Sequence, residues 1–156
     1  MLLFLDIDGV MVPAKGWKPA ELLNDGFPAF SEKATRVLQR ILIDDTTILL
    51  TTSHKSNYSI EQWKEIFKNR GIDGVNIKSL GENFGNLDRR QEIERWFNVN
   101  GKEVAFIILD DDKSLNELPE YLKANLILTK SLVGLTESHL VEINAIKSKM
   151  PEVGFS

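Results

Sequence analysis

Four consecutive apolar residues, Leu2 to Leu5, run directly into Asp6, Ile7, Asp8 and Gly9. A run with no polar position leaves no solvent face, so it predicts a strand buried on both sides, as in a parallel sheet covered by helices. From Phe30 the pattern changes. In FSEKATRVLQRILI, Ala34, Val37, Leu38 and Ile41 recur at helical spacing behind Ser31, which predicts a capped amphipathic helix. Thr47 to Leu50 reads as a second strand. SIEQWKEIFKNRG predicts the next helix, with Ser59 as its cap, Ile60, Trp63, Ile66 and Phe67 on one face, and Gly71 as its stop. A short strand is expected near Val75 to Ile77. Leu87 to Phe97 then places Ile93, Trp96 and Phe97 at helical spacing, and Glu103 to Leu109, EVAFIIL, reads as a strand running into Asp110, Asp111 and Asp112. A short helical or looped piece around Leu115 to Leu122 leads to a last strand in ANLILT, and Thr136 caps a final helix running to about Met150. Strands alternate with helices, so the predicted class is α/β with a mainly parallel sheet.

Composition narrows the picture without changing it. At 156 residues the chain supports one well-buried core, and a single domain over residues 1–156 is expected. Hydrophobic residues at 42% and charged residues at 27% are the balance of a folded globular protein and exclude a disordered one. The net charge of -4 provides no overall positive field for nucleic acid or anionic lipid. There is no cysteine, which removes disulfides, zinc thiolate sites and cysteine nucleophiles. The start MLLFLD lacks the basic opening and long apolar run of a signal peptide, and no segment approaches the ~18 apolar residues of a membrane span. A soluble, cytoplasmic protein with no membrane partner is expected.

In a parallel sheet, ligands sit beyond the carboxyl ends of the strands. Three strands end suggestively here: at Asp6 and Asp8, at Thr51, Thr52, Ser53, His54 and Lys55, and at Asp110, Asp111 and Asp112. Carboxylates at the ends of two buried strands repel one another, and a bound cation is the simplest compensation. Hard oxygen ligands favour Mg²⁺. In extended chain Asp6 and Asp8 point to the same side with Ile7 turned into the core, so one carboxylate can attack while the other handles a proton. Gly9 suits a sharp turn directly after the pair and leaves room for close backbone approach.

These residues resemble those of a known family. LLFLDIDGVMV is similar to the first motif of the haloacid dehalogenase (HAD) superfamily, a strand ending in DxDG, and ILLTTS to its second, a strand ending in Ser or Thr. Arg89 or Arg90, before EVAFIIL, matches the place of its basic third motif, and ILDDD matches the acidic fourth. The four motifs occur in the right order over nearly the whole chain. The resemblance implies a Rossmann-like three-layer sandwich with a five-stranded sheet and a phosphohydrolase acting through an aspartyl phosphate. Asp6 would be the nucleophile, and Asp8 the acid to the leaving group and then the base for water. Thr51 would hydrogen-bond a phosphate oxygen and Arg89 would neutralise charge. Asp110 and Asp111 would hold Mg²⁺ together with Asp6 and the backbone carbonyl of Asp8. Gly9, Thr52, Ser53, His54, Lys55 and Arg90 are the expected substrate contacts, with His54 also read as a structural or supporting group rather than a catalytic one.

Arg89 is preferred over Arg90 because its RxxEI spacing resembles that of a small branch of the superfamily, the HAD-type domains of RNA-repair proteins. Gly134 to Thr136, GLT, resembles a late motif of the same branch, whereas His54-Lys55 stands where that branch has Trp-Arg. Only Val10 to Ala29 separates the first motif from the next helix, so no large cap domain is expected. An open site suits a large phosphorylated substrate such as a nucleic-acid end, with Lys15, Lys18 and Lys55 as a local basic rim and Trp17 as either a flap contact or an ordinary packing residue. The alternative is a weakly active or inactive domain of the same fold that binds a phosphorylated ligand or protein partner. Asp112 is expected to be a bystander, and Trp63 and Trp96 to be core.

Overall fold

The computed structural model describes residues 1–14, 21–81, 83, 85–101 and 103–150. Five strands, β1 (Leu2–Leu5), β2 (Thr47–Leu50), β3 (Asn76–Ser79), β4 (Phe106–Asp110) and β5 (Leu126–Leu128), form one sheet in the order β3-β2-β1-β4-β5. Every neighbouring pair is parallel. The fold is therefore α/β and Rossmann-like, with no large cap.

Alternation along the strands builds two cores. Leu3 and Leu5 of β1, Ile48 and Leu50 of β2, and Ile107 and Leu109 of β4 face one side. There they meet α1 (Glu32–Ile41), α2 (Ile60–Lys68) and α5 (Glu137–Ser148) through Val37, Leu38, Trp63, Phe67 and Ile143. Phe4, Leu49, Phe106 and Ile108 face the other side. Their partners are Ile93 and Phe97 of α3 (Arg89–Asn100) and Leu122 of α4 (Glu120–Lys123). The two-sided burial is what the unbroken apolar run of β1 requires. Among the described residues no helix is long and apolar enough to cross a membrane.

The helix caps are local chemistry. Ser31 accepts from the Ala34 N–H, and Ser59 and Asp88 each form a reciprocal capping box, with Gln62 and Gln91 respectively. Three strands have boundaries that differ from expectation. β3 lies at Asn76–Ser79 rather than at Val75 to Ile77, because Thr47 pairs with Asn76 and carries the register forward to Ser79. β4 starts at Phe106 rather than at Glu103, since Leu2 is its first partner. It extends instead to Asp110, which pairs with Leu128. β5 keeps only the central three residues of ANLILT. The piece around Leu115 to Leu122 resolves into a 3₁₀ turn, Lys113–Glu117, and α4. Trp63 is fully buried, whereas Trp96 is half-buried. Lys15, Trp17 and Lys18 lie outside the described residues.

Candidate active site

β1 lies between β2, which continues outward to β3, and β4, which continues outward to β5. The chain direction of the crossovers reverses between β1 and β4, and a crevice at such a reversal is where open α/β sheets bind ligands. Leu5 pairs with Leu109, so Asp6 and Asp110 leave neighbouring strands side by side at that crevice. Asp111 joins them. Carboxylate oxygens of Asp6, Asp110 and Asp111 all lie within 4.8 Å of one another.

Arg89 offsets part of this charge. Its Nη1 donates to Asp110 Oδ2 at 2.6 Å and lies 3.4 Å from Asp6 Oδ1. Asp110 Oδ1 accepts from the backbone N–H groups of Asp111 and Asp112 at 2.8 and 3.0 Å. Burial pushes the Asp6 carboxyl up to about 8, with the Asp110 carboxylate adding to the rise and Arg89 opposing it. Burial likewise raises Asp110 against the pull of Arg89. For Arg89, burial works against the charge, yet Asp110 and Asp6 hold it above the ordinary arginine range. One guanidinium thus leaves three clustered carboxylates short of positive charge. The all-oxygen donor set fits a hard divalent cation.

β2 supplies the other wall. Thr51 is buried, its N–H donates to Leu5 O at 3.0 Å, and its hydroxyl has no protein partner. A buried hydroxyl with nothing to bond is costly unless a ligand completes it. Thr52 is also buried and commits its oxygen to the His54 N–H at 3.3 Å, which opens the 3₁₀ turn Ser53–Asn57. Ser53 is exposed at the head of that turn. His54 reaches back to the first motif, with Nε2 2.9 Å from Asp8 Oδ2.

Lys55 corrects the expectation of a basic rim. Its side chain is 5% exposed and its Nζ lies 3.0 Å from Glu92 Oε2, so the charge is turned inward against α3. A buried ammonium requires such a partner. The Trp63 indole N–H donates to the Lys55 carbonyl, and together these contacts tie the turn to α2 and to the helix that carries Arg89. Arg90 is half-buried on α3 without reaching the carboxylates, so Arg89 is the arginine at the site. Asp112 caps the turn Lys113–Glu117 through the Ser114 N–H and stands outside the cluster, as expected of a bystander. The Asp8 side chain is also outside the cluster and turns to His54.

Gly9 has a steric reason. Its φ is +80°, and a β-carbon there would collide with Asp111 Oδ2, so only glycine lets that carboxylate approach. Two further residues come from the end of β5. Thr129 donates from Oγ1 to Gly9 O at 2.6 Å, and Ser131 donates to Asp111 Oδ2 at 2.7 Å. Sequence reasoning missed both, although the rule of reading the residues beyond each strand end points to them.

No match to a curated protein or to a solved structure was found. A family model, the HAD domain in Swiss Army Knife RNA repair proteins, matches residues 2–140. With DxDG at the end of β1, the hydroxyl of Thr51 at the end of β2, Arg89 at the start of α3 and the acidic end of β4 around one crevice, the chain belongs to that family of HAD domains.

Proposed function

We propose that this protein is a magnesium-dependent phosphohydrolase that cleaves phosphomonoesters through an aspartyl phosphate on Asp6. The observation that carries the reading is the trio of buried Asp6, buried Asp110 and half-buried Asp111, with Arg89 against the two buried members and an unpartnered Thr51 hydroxyl on the adjoining strand. A module that only bound a phosphate would have no use for so much clustered negative charge.

Asp6, Asp110 and Asp111 would hold Mg²⁺ with the Asp8 carbonyl. When bound, the cation supplies charge that stabilises the nucleophile as carboxylate and screens it from the phosphate. The other steps belong to the chain. Asp6 attacks phosphorus, and Asp8 gives a proton to the ester oxygen as the P–O bond breaks and the alcohol leaves. Asp8 then takes a proton from the water that cleaves the aspartyl phosphate, which releases phosphate and restores Asp6. Arg89 offsets charge between nucleophile and phosphate, and Thr51 donates its hydroxyl to a phosphate oxygen.

With no large cap over the crevice, the reading extends to bulky phosphorylated substrates, a nucleic-acid end first among them. The family's RNA-repair setting supports that choice. Hydrolysis of 4-nitrophenyl phosphate with and without Mg²⁺, by the wild type and Asp6→Asn, tests the chemistry. Activity should require the cation and vanish in the variant; activity that survives Asp6→Asn refutes the mechanism. Phosphorylated oligonucleotides, mononucleotides, sugar phosphates and phosphopeptides assayed side by side then identify the substrate class.

A further inference from the structure

Asp8 has two duties in the proposed reaction, yet its side chain is 59% exposed, so packing alone does not hold its carboxylate. His54 does. With the proton on Nε2, the ring donates to Asp8 Oδ2 across 2.9 Å. The imidazole is in turn held from behind. Its backbone N–H is fixed on Thr52, and its ring stands edge-on to Phe27 with centroids 5.5 Å apart at 85°. Phe27 is buried, packs edge-on against Tyr58 and Trp63, and its carbonyl accepts from Arg70 Nη2 at 2.9 Å. The histidine thus rests on a rigid aromatic wall and presents a ring nitrogen to a carboxylate that otherwise faces solvent.

We propose that His54 is a positioning residue for Asp8. By holding Oδ2 it leaves Oδ1 to face the ester oxygen, first to deliver the proton to the departing alcohol and then to accept one from the attacking water. The assignment rests on the phosphohydrolase reading and deepens it: of the two readings of His54, substrate contact and supporting group, it takes the second and names Asp8 as the residue supported. It also gives the departure from Trp-Arg at His54-Lys55 a physical content, because both side chains of that pair have partners within the fold. Lys55 is paired with Glu92, and His54 with Asp8.

The role has a signature that loss of packing does not share. An aryl oxide departs with little help from an acid, whereas an alkoxide needs its proton. We therefore compare 4-nitrophenyl phosphate with β-glycerophosphate as substrates for the wild type, His54→Ala and His54→Gln, with thermal melts of each. His54→Ala should lower kcat/KM, which reads the step that expels the leaving group, by about 10–100-fold on the alkyl ester and at least about ten times more than on the aryl ester. His54→Gln, which restores an N–H donor, should recover most of the loss. In an Asp8→Asn background, His54→Ala should add nothing further.

Equal losses in kcat/KM on the two esters overturn the role of His54, as does a full additional loss in the Asp8→Asn background. A wild type that cleaves only the aryl ester overturns it too, since there is then no proton delivery to position. A wild type inactive on both esters overturns the phosphohydrolase reading itself and the role of His54 with it.

Discussion

Replacing Asp25 with alanine tests the anchor behind the site without touching the proposed chemistry. Arg70 follows α2, and its side chain is only 2% exposed. It forms a two-pronged pair with Asp25, Nη1 to Oδ2 at 2.6 Å and Nη2 to Oδ1 at 3.1 Å, and also bonds the carbonyls of Ile66, Phe27 and Pro28. Removing one partner of a buried pair costs about 3–5 kcal/mol. The low end applies here, because three carbonyls go on solvating the guanidinium and the Asp25 side chain is 14% exposed. The Phe27 N–H also loses its acceptor, worth about 1 kcal/mol. The expected loss is therefore about 3–4 kcal/mol, which in a chain of this size lowers Tm by roughly 6–16 °C.

The pH dependence supplies a second constraint. The hydrogen bonds from Arg70, Asn69 and the Phe27 N–H hold the Asp25 carboxyl well below its ordinary value of 3.8, with Arg70 the largest influence. A depressed folded-state pKa contributes stability that is complete above the ordinary value and declines as pH falls below it. Urea unfolding of the wild type and Asp25→Ala should therefore show the full difference at about pH 7 and a smaller one at about pH 3. A loss under about 1 kcal/mol at neutral pH, or a difference that does not shrink on acidification, refutes the account of Arg70 as a buried, paired charge.

Two further outcomes follow from the site. Gly9→Ala should weaken Mg²⁺ binding by about ten-fold or more in calorimetry, because the new β-carbon must displace Asp111, and should cost about 1–2 kcal/mol of stability from the positive φ. Unchanged Mg²⁺ affinity would rule out Asp111 as a ligand. For Asp6, whose folded-state carboxyl is raised from 3.8 to about 8, the stability it contributes is complete below the ordinary value and is lost as pH rises through the folded one. The urea midpoint of the metal-free protein should accordingly fall between about pH 5 and pH 8, and Asp6→Asn should flatten that fall; equal slopes in the two proteins count against the cluster as the source.

Much of this architecture was legible because it is written locally. Each strand core showed as an apolar run, and the caps Ser31, Ser59 and Asp88 lie at the starts of amphipathic stretches, although Asp88 is identified as a cap only by its box with Gln91. The strand ends were less legible, since where β3 and β4 begin depends on the register against their neighbours rather than on their own residues. In the site, Asp6 and Asp110 could be paired from the strand-end rule, because β1 and β4 bring them together directly. Lys55 could not be placed. Its inward turn depends on Glu92, a residue on another element that nothing near His54 announces. Arg70 and Asp25 were missed for the same reason: a charge at a helix end reads as a surface charge until its partner is seen. Gly9 was read as a turn, but its tightest constraint comes from the side chain of Asp111.

The bond from Thr129 to Gly9 spans 120 residues and ties the turn after β1 to the end of β5. Synthesis proceeds from the amino terminus, and contacts so distant along the chain form only after both ends exist. A growing chain therefore carries Asp6 well before Asp110, Asp111 and the bracing residues Thr129 and Ser131 emerge. Until then β1, the central strand, has an open edge where β4 belongs. The acidic cluster is in this sense assembled late: a chain cut short before β5 holds Asp6 and the aromatic wall behind His54, but not the contacts that Thr129 and Ser131 make.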